Sequence, residues 1–514
     1  MRHLHSPQQA AQWLAQQVRG TLQTDSRTLA PGDGFIAWPG ATTDARTHVR
    51  KALDLGAAAC LVEHRGADDF GFDDPRVASL DHLKATSALV ADAYFGHPSH
   101  DLDVLAVTGT NGKTSTVWWL AQALSGAHLQ PPRRCAMVGT LGVGFPGGPS
   151  AGSGAPGMDG VLATGLTTPD AVLLQKSLRH FSDAGAQACA IEASSIGIEE
   201  HRLDGIRIHT AIFTNLTQDH LDYHGSMERY WQAKERLFRW PGLRAAVVNI
   251  DDAQGRELAA GLADSALDLW TVSRDGSARL RASAHQDTAD GMRFTVTEGA
   301  QAHALDTRLI GHYNVSNLLG VLGTLRSLGV PLDQAVAACS DLLPVPGRLQ
   351  CVNIAGRPMG VVDYAHTPDA LDKALAALRP LARQRGGRLW CVFGCGGERD
   401  PAKRPLMGAA AAHGADRVVL TSDNPRREDP LAILDQIAAG LPAHTDVIRL
   451  DNRSQAIAHA LRAAHAADVV LVAGKGHETY QETAGARLPF SDLAEVQHGL
   501  SLWRAGLPAQ GVAA

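Results

Sequence analysis

A glycine-rich heptapeptide at residues 108–114, Thr-Gly-Thr-Asn-Gly-Lys-Thr, has the composition of a phosphate-binding loop. Gly109 and Gly112 would let backbone N–H groups approach phosphate oxygens closely, and the start of a following helix favours an anion. Lys113 could reach the terminal phosphates of a nucleotide, and the Thr114 hydroxyl could ligate Mg²⁺. These residue types at this spacing predict a site for a nucleotide and its metal ion.

The segments on either side of the loop support this prediction. An apolar run at 102–107 predicts a buried strand, and the run at 115–124 predicts a helix. The loop departs from the usual GxxxxGK pattern because Val107 stands at the first glycine position, and an ordinary glycine-rich turn is the alternative. The residues predicted to contact nucleotide phosphates are Gly109, Thr110, Asn111, Gly112, Lys113, Thr114 and Ser115.

Two side chains further along the chain could reach a phosphate-bound cation. Glu192 ends the apolar run 188–191, and His220 lies in the polar segment 214–222. Mg²⁺ prefers oxygen ligands and commonly keeps water molecules, so a histidine ligand would be unusual, and a polar loop closing a helix is the alternative for His220. Lys234 has, on residue type alone, the pattern of a solvated helix lysine.

Three polar turns follow apolar runs in the last third of the chain. They lie at 396–400, which contains Arg399, at 423–426, Asp-Asn-Pro-Arg, and at 474–478, Gly-Lys-Gly-His-Glu. An arginine can grip a carboxylate through two parallel hydrogen bonds, and Asp or Asn can hold an ammonium group. Each turn alone could be a surface turn. Together they favour recognition of a zwitterionic, amino-acid-like substrate.

Positioning these groups requires a sheet whose strands all end at one edge. Apolar runs alternate with helix-like segments along most of the chain, which predicts an α/β fold with mostly parallel sheets. Open sheets of this kind bind ligands at the carboxyl ends of their strands.

Residues 142–165 are rich in Gly, Pro and Ser and predict a long flexible loop. Breaker clusters at 96–99 and 343–347 are candidate domain boundaries.

Composition limits the kind of protein this is. A chain of 514 residues predicts about three domains. The net charge of −6 argues against a dedicated nucleic-acid binder. The sequence shows no signal peptide and no apolar stretch that could span a membrane, and its seven scattered cysteines suit reduced thiols. We therefore expect a cytoplasmic globular enzyme without membrane insertion.

Motifs along nearly the whole chain resemble those of the ATP-dependent Mur ligases. The matching segments are 108–114, 192–195, 214–225, 230–234, 314–318, 347–348, 363–368, 423–426 and 474–478. The resemblance implies three domains: a small N-terminal α/β UDP-binding domain at 1–98, a central phosphate-loop ATPase domain at 99–345, and a C-terminal Rossmann-like, amino-acid-binding domain at 346–514.

The resemblance also implies a reaction. The Asp-Asn-Pro-Arg string is similar to that of members that add meso-diaminopimelate to the D-Glu γ-carboxyl of UDP-MurNAc-L-Ala-D-Glu, with ATP and Mg²⁺, in peptidoglycan precursor synthesis. The γ-carboxylate attacks the γ-phosphate of ATP, and the amine then attacks the acyl phosphate. Lys113, Glu192, His220 and Lys234 would form the catalytic centre. Lys234 would be carbamylated and would hold a metal ion together with Thr114, Glu192 and His220.

Further site residues follow from the same resemblance. Nucleotide contacts beyond the loop would be Asn314, Arg348, Asp363 and His366. Diaminopimelate would contact Arg399, Asp423, Asn424, Pro425, Arg426, Gly474 and Glu478. Ser26 would meet the uridine end of the other substrate, and its sugar–peptide part would meet Thr167, Thr168, Ser194, Glu200 and Arg202.

The sequence departs from the family pattern on the UDP-sugar side. These departures are at 41–43, Leu166, Ile196 and Glu200. Glu200 would repel an anionic substrate. The alternatives are an L-lysine-adding Mur ligase, a ligase related to folylpolyglutamate synthase, and a homologue without catalysis. We expect a monomer.

Overall fold

The computed structural model describes residues 1–40, 43–146, 160–288, 291–442 and 447–504. The chain forms two compact units, Met1–Leu280 with Leu319–Ala338, and Arg281–Leu318 with Cys339–Ala514. Both contain helices and predominantly parallel sheets, which confirms the predicted α/β class. The domain boundaries at 98 and 345 stay predictions.

The first unit begins with a small sheet in which every strand pairing is parallel. Its spatial order is β1-β5-β4-β3-β2. The elements are β1 (Arg2–Leu4), α1 (Pro7–Gln17), β2 (Leu22–Gln23), β3 (Gly34–Ala37), α2 (Val49–Asp54), β4 (Ala59–Glu63), β5 (Val77–Leu80) and α3 (Leu83–Tyr94).

Local sequence explains how α1 begins, and apolar residues fix it to the sheet. The Ser6 side chain caps the helix by accepting a hydrogen bond from the Gln9 amide, and Pro7 occupies the first turn, where no amide donor is needed. Leu14 and Leu61 lie in the resulting core, which also includes Val172 from a later helix of the same unit.

A second sheet of the first unit holds the phosphate loop. Its elements are β6 (Asp103–Thr108), α4 (Lys113–Ser125), β7 (Cys135–Gly139), β8 (Gly142–Gly144), β9 (Val161–Leu162), α5 (Ala171–Asp183), β10 (Ala188–Glu192), α6 (Ser195–Glu199), β11 (Ile208–Phe213), α7 (Leu221–His224), α8 (Met227–Glu235), β12 (Ala245–Asn249), α9 (Ala253–Leu262) and β13 (Asp268–Ser273). Their spatial order is β13-β12-β11-β6-β10-β7-β8-β9.

The parallel register of this sheet places Glu192 and the end of β11 level with the end of β6, where the phosphate loop begins. Glu192 at the end of β10 pairs with Val107 of β6, and Phe213 at the end of β11 pairs with Thr108. The carboxyl ends of three neighbouring strands therefore meet beside the phosphate loop, as the sequence predicted.

The prediction of one long loop over 142–165 was wrong at both ends. Strand β8 pairs antiparallel with β7, and β9 pairs antiparallel with β8. Gly144, with φ of 151°, lets the backbone of β9 approach closely, because a Cβ there would lie 2.0 Å from the Gly160 carbonyl oxygen. The middle of this segment, 147–159, lies outside the described residues.

The second unit contains a parallel sheet with one antiparallel edge strand, in the order β17-β18-β22-β19-β20-β21. The elements from 280 onward are β14 (Leu280–Thr288), β15 (Gly291–Glu298), β16 (Gln301–Thr307), α10 (His312–Ser327), α11 (Leu332–Ser340), β17 (Gln350–Val352), β18 (Met359–Asp363), α12 (Pro368–Gln384), β19 (Leu389–Phe393), α13 (Lys403–Gly414), β20 (Arg417–Leu420), α14 (Pro430–Ala438), β21 (Val447–Arg449), α15 (Arg453–Ala463), β22 (Val469–Ala473), β23 (Tyr480–Thr483), β24 (Ala486–Pro489) and α16 (Asp492–Leu502).

Candidate active site

The phosphate loop is shaped by the polar segment that follows β11. Gly109 has φ of 141°, and a Cβ at this position would lie 1.9 Å from the Thr214 hydroxyl oxygen. The Asn111 amide donates to Asn215 Oδ1 (3.0 Å), and the Thr214 hydroxyl donates to the Asn111 carbonyl (2.7 Å). Only glycine fits at 109, and the loop backbone is held in one conformation.

Two lysines converge on one carbonyl oxygen of this loop. Lys113 Nζ donates to the carbonyls of Gly109 (2.7 Å) and Thr110 (2.8 Å), and Lys234 Nζ donates to that of Gly109 (2.9 Å). Lys234 is only 1% exposed, and its Nζ lies 4.3 Å from the centre of the Tyr230 ring. The interpretation of Lys234 as a solvated surface lysine was therefore wrong.

The surroundings of Lys234 favour its neutral amine. Burial, and then the neighbouring Lys113 ammonium, hold the pKa of Lys234 well below its usual value. A neutral amine has a free lone pair and is a nucleophile, whereas an ammonium is not. The geometry thus suits covalent modification of this lysine.

Glu192, His220 and Tyr230 complete this part of the site. The Glu192 carboxylate is 1% exposed and accepts hydrogen bonds from the Thr140 amide (2.8 Å) and hydroxyl (3.2 Å). The Tyr230 hydroxyl lies 3.2 Å from Thr110 Oγ1, and its ring lies 6.0 Å from that of His220. Tyr230 therefore links the loop, the histidine and Lys234, a role that the sequence analysis missed.

These residues offer donors that suit a divalent cation. Desolvation and the neighbouring Lys113 ammonium lower the pKa of His220 against the opposing effect of the Asp219 carboxylate, so its imidazole is neutral near pH 7 and has a lone pair to offer. The Thr114 hydroxyl is buried at the start of α4, and Glu192 contributes carboxylate oxygens. Hydroxyl and carboxylate oxygens are ligands that Mg²⁺ accepts, so the donor set fits this ion.

The residues predicted on the sugar–peptide side cluster next to Glu192. Thr168 Oγ1 donates to the Glu192 carbonyl (2.6 Å) and accepts from the Ser194 amide (3.2 Å). Arg202 donates to the Thr168 carbonyl (2.7 Å), and Thr167 Oγ1 lies 3.1 Å from Thr140 Oγ1. Ser26 lies apart from these side chains in sequence, in the turn after β2.

Glu200 is compensated by its neighbours. Its carboxylate lies 2.5 Å from Lys84 Nζ and accepts a hydrogen bond from the Tyr223 hydroxyl (2.5 Å). Although burial acts to raise it, these two partners hold the pKa of Glu200 below its usual value. The expected repulsion of an anion is reduced by this pairing.

Of the other positions that depart from the family pattern, Leu166 is 45% exposed, and residues 41–42 lie outside the described residues.

In the second unit, the predicted nucleotide residues lie around the end of β18. The buried Asp363 carboxylate accepts from the amides of Leu349 (2.7 Å) and Ala365 (2.8 Å), and burial raises its pKa. The Arg348 guanidinium lies 4.5 Å from the centre of the Tyr364 ring. His366 is exposed, with Nδ1 2.8 Å from the Tyr364 carbonyl.

Asn314 lies on α10 in the same unit. Its amide nitrogen donates to the Ile310 carbonyl (2.7 Å), and its oxygen accepts from Asn317 (3.0 Å). The side chain is thereby fixed in orientation.

The predicted amino-acid turns meet at the carboxyl edge of the second unit's sheet. Asn424 donates to Glu478 Oε2 (2.9 Å), and a Cβ on Gly474 would lie 2.4 Å from Asp423 Oδ2. The carbonyl of Pro425 is in close contact with Gly397, where a Cβ would lie 2.0 Å from it. The structure thus brings the turns 396–400, 423–426 and 474–478 together.

Arg399 and Arg426 flank one glycine of this edge. A Cβ on Gly396 would lie 3.0 Å from Arg426 Nη1 and 3.6 Å from Arg399 Cγ. Arg426 has φ of 55°, and its Nη1 donates to the Gly397 carbonyl (2.5 Å). The Arg426 guanidinium and the Cγ of Arg399 therefore lie beside the same glycine, and an arginine guanidinium can bind a carboxylate.

Two groups that support these turns were not predicted. Lys475 is fully buried and donates to Asn424 Oδ1 (2.9 Å) and Glu478 Oε2 (2.7 Å). Arg453, also buried, pairs with Asp492 (2.7 Å) and donates to the carbonyls of Ser422 (3.1 Å) and Ala473 (2.9 Å). Lys475 stands inside a recognised turn, but nothing in the sequence around Arg453 distinguishes it from a helix surface residue.

Fold and site together are those of a nucleotide-dependent ligase, and the comparisons name the family. Residues 107–325 match the Mur ligase middle domain, and residues 347–476 match the Mur ligase glutamate ligase domain. The chain belongs to the Mur ligase family.

Particular relatives are similar over almost the full length. A UDP-N-acetylmuramoyl-L-alanyl-D-glutamate–2,6-diaminopimelate ligase from Acidovorax sp. (strain JS42) is 58% identical over 96% of this chain and 97% of its own. The corresponding ligase from Janthinobacterium sp. (strain Marseille) is 46% identical over 95% and 96%.

Solved structures agree in fold. A structure of a UDP-N-acetylmuramoyl-L-alanyl-D-glutamate–2,6-diaminopimelate ligase has a TM-score of 0.63 and 35% identity, covering 94% of each chain. MurF from Thermotoga maritima in complex with ADP has a TM-score of 0.64 and 17% identity, covering 93% of this chain and 96% of that one. The second likeness concerns the fold alone.

Among the described residues, no helix is long and apolar enough to cross a membrane.

Proposed function

We propose that this chain is the ATP-dependent ligase that adds meso-diaminopimelate to the D-Glu γ-carboxyl of UDP-MurNAc-L-Ala-D-Glu in peptidoglycan precursor synthesis. The observation that carries this proposal is the 58% identity, over 96% of the chain, to a relative whose name states that ligation. Supporting it are the phosphate loop at the start of α4 and the position of Arg399 and Arg426 beside Gly396.

The first step of the proposed reaction is transfer of a phosphoryl group between anions. The γ-carboxylate attacks the terminal phosphorus of ATP, ADP leaves, and an acyl phosphate forms. Lys113, at the loop, would stabilise the charge that develops on the transferred group. Gly109, Thr110, Asn111, Gly112 and Ser115 would hold the phosphates, and Asn314, Arg348, Asp363 and His366 the remainder of the nucleotide.

Mg²⁺ would be held by Thr114, Glu192 and His220, together with Lys234 as a carbamate. When bound, Mg²⁺ supplies positive charge next to the phosphates. The neutral Lys234 amine attacks CO₂, one proton is lost, and a carbamate anion results. Support for this assignment comes from the burial of Lys234 and the proximity of Lys113, which favour the neutral amine.

In the second step the diaminopimelate amine attacks the acyl phosphate, and phosphate leaves as the amide forms. Arg399 and Arg426 would bind carboxylate, whereas Asp423, Asn424 and Glu478 would bind ammonium, with Gly474 and Pro425 shaping the turn. The UDP-linked dipeptide would contact Ser26, Thr167, Thr168, Ser194, Glu200 and Arg202.

We assign the tasks to the segments 1–98 for the UDP end, 99–345 for ATP and 346–514 for the amino acid. We also propose a cytoplasmic monomer that binds neither nucleic acid nor membrane. A folylpolyglutamate synthase from Mycobacterium tuberculosis has 18% identity over 76% of this chain, and at that level its likeness concerns the fold alone.

Phosphate release tests the proposed function. The purified chain receives ATP, Mg²⁺ and UDP-MurNAc-L-Ala-D-Glu, and then meso-diaminopimelate, L-lysine or L-glutamate in separate reactions. We expect release with diaminopimelate and formation of the UDP-tripeptide by mass spectrometry. Release only with L-lysine would identify the lysine-adding alternative, and no release with any amine would support a homologue without catalysis.

A further inference from the structure

Two imidazoles and a carboxylate lie together at the carboxyl edge of the N-terminal sheet, and none of them belongs to the site described above. His3 is in β1, His64 directly follows β4, and Asp81 directly follows β5. Strand β5 lies between β1 and β4, and the three strands are parallel. The fold therefore brings three side chains together that are far apart in sequence.

Their separations suit a single ion. His3 Nε2 lies 3.0 Å from Asp81 Oδ2, and the rings of His3 and His64 stack with centroids 3.8 Å apart. One potential ligand atom from each residue lies within 4.8 Å of the others. Ligand atoms around a tetrahedral zinc ion are about 3.3 Å apart. The two imidazole planes are nearly parallel, 7° apart, so one ring must turn out of the stack for both rings to face one ion.

A neighbouring hydroxyl orients one of the imidazoles. His64 Nδ1 lies 3.0 Å from the hydroxyl of Ser79, which is fully buried in β5. The His64 amide donates to the Leu80 carbonyl (3.0 Å), which fixes the backbone. Metal-binding histidines characteristically use their second ring nitrogen in such a hydrogen bond, leaving the first for the metal. The ring of His5 is 4.7 Å from that of His3, so a further imidazole is close by.

We propose that His3, His64 and Asp81 bind one Zn²⁺ ion, or a similar divalent transition metal, with water completing the coordination. Two imidazole nitrogens and a carboxylate oxygen favour such a metal over Mg²⁺, which prefers oxygen ligands alone. The ion links β1 to the ends of β4 and β5. It therefore stabilises the start of the chain and takes no part in the ligase chemistry.

Calorimetric titration of the full chain with ZnCl₂ tests this proposal. The protein is first stripped of metal with a chelator, and Mg²⁺ is kept in excess to occupy oxygen-rich sites. We expect one tightly bound Zn²⁺ per chain. The H64Q variant should bind it at least about a hundredfold more weakly, and S79A about 10–100-fold more weakly.

Two matched controls locate the ion. His100→Gln removes an exposed histidine outside the cluster, and His285→Gln alters the second group of potential ligands, which also includes Asp287 and His312. Both variants should bind Zn²⁺ as the unaltered chain does. Loss of binding in H285Q with retention in H64Q would overturn the proposal, as would the absence of binding in the unaltered chain at micromolar Zn²⁺.

Thermal unfolding separates metal binding from a folding defect. Zn²⁺ should raise the Tm of the unaltered chain, because a ligand that binds only the folded state stabilises it. H64Q should melt like the unaltered chain in EDTA and gain nothing from Zn²⁺. If H64Q does not fold, D81N takes its place. This variant removes an exposed carboxylate, and Zn²⁺ should not raise its Tm. An equal Zn²⁺-dependent rise in Tm for D81N would contradict the proposed site.

Discussion

Lys234 is buried where an ammonium group is costly, and this gives a sharp test of its role. We expect Lys234→Ala to lower turnover by at least about a hundredfold, because an anionic ligand for Mg²⁺ is lost. Added formate or acetate should restore part of the activity by replacing the carbamate. Steady-state phosphate release with and without these ions is the measurement.

Lys113→Ala is the matched control, since both lysines donate to the Gly109 carbonyl. Its activity should also fall, but small carboxylates should not restore it, because the missing group is a cation. Near-normal turnover of Lys234→Ala would contradict the carbamate assignment.

Arg426 is expected to determine affinity for the amino acid. Arg426→Ala removes a charge-assisted hydrogen bond to carboxylate, so KM for diaminopimelate should rise about tenfold or more while KM for ATP changes little. Initial rates with each substrate varied in turn would measure this. Arg427→Ala, at the neighbouring exposed position, should change neither KM. An equal rise in both KM values for Arg426→Ala would count against the assignment.

At the level of single residues, the sequence predicted which residues follow strands better than it predicted the burial and the contacts of side chains. The phosphate loop, Glu192 and the three amino-acid turns could be recognised because each follows an apolar strand. The burial of Lys234 could not, because it depends on a contact with Gly109, 125 residues earlier in the chain. The pairing of Glu200 with Lys84 was hidden for the same reason.

At the scale of elements, the phosphate loop depends on close packing against the segment after β11. Gly109→Ala should lower turnover on the order of a hundredfold, because a methyl group would displace Thr214 and with it the loop. Gly242→Ala is the matched control, since Gly242 also has a positive φ (77°) but has no atom within 4 Å of an added Cβ. Turnover and KM for ATP of both variants would test this. Equal losses in the two would implicate backbone strain instead.

Arg453 joins the carboxyl ends of two strands, β20 and β22, through the carbonyls that follow or end them. Arg453→Ala leaves the Asp492 charge buried without its partner and should reduce the free energy of unfolding by about 3–5 kcal/mol. Arg449→Ala breaks an exposed ion pair with Asp435 and should cost less than about 1 kcal/mol. Urea unfolding would measure both.

The double variant Arg453→Met with Asp492→Leu separates stability from positioning. It should recover much of the lost stability, since neither charge remains buried. KM for diaminopimelate should be higher than in the unaltered chain, because Arg453 no longer holds the carbonyls of Ser422 and Ala473. A normal KM in the double variant would show that the arginine has only a stabilising role.

Apolar runs predicted the strand and the helix on either side of the phosphate loop to within two residues, with 102–107 for β6 and 115–124 for α4. The sequence did not predict β8 and β9, which are three and two residues long; β8 is Gly-Val-Gly and β9 is Val-Leu. Such short strands carry no alternating pattern; β8 forms by pairing with the edge of β7, and β9 by pairing with β8. Tertiary pairing, which is not encoded locally, decided their structure.

For the whole molecule, the titration of desolvated histidines predicts a lower free energy of unfolding in mild acid. Burial lowers the pKa of several histidines, so the unfolded chain binds more protons below about pH 6.5 than the folded chain does. These histidines are His180, His209, His220, His224, His459 and His477. For His477 the pKa falls to about 4. Their contribution is present above about pH 6.5 and is lost as the pH falls.

Paired carboxylates such as Glu200 and Glu428 act in the same direction below about pH 4.5, since their pKa values are lowered in the folded chain. Asp92 and Asp363, whose pKa values are raised by burial, act in the opposite direction. We expect the free energy of unfolding, measured in urea, to be lower at about pH 5.5 than at about pH 7.5. An unchanged or higher value at the lower pH would contradict this.

The contact of the N-terminal sheet with α5 has a consequence for how this gene can recombine with those of its relatives. Val172 completes the core beneath β1 and β4, and Lys84 neutralises Glu200. A crossover near residue 98 would give a foreign first segment to a chain that still carries its own residues at 172 and 200. Functional chimeras should therefore take residues 172 and 200 from the same parent as the first segment. The candidate domain boundary near residue 98 is thus not a site at which segments of two relatives can be exchanged independently.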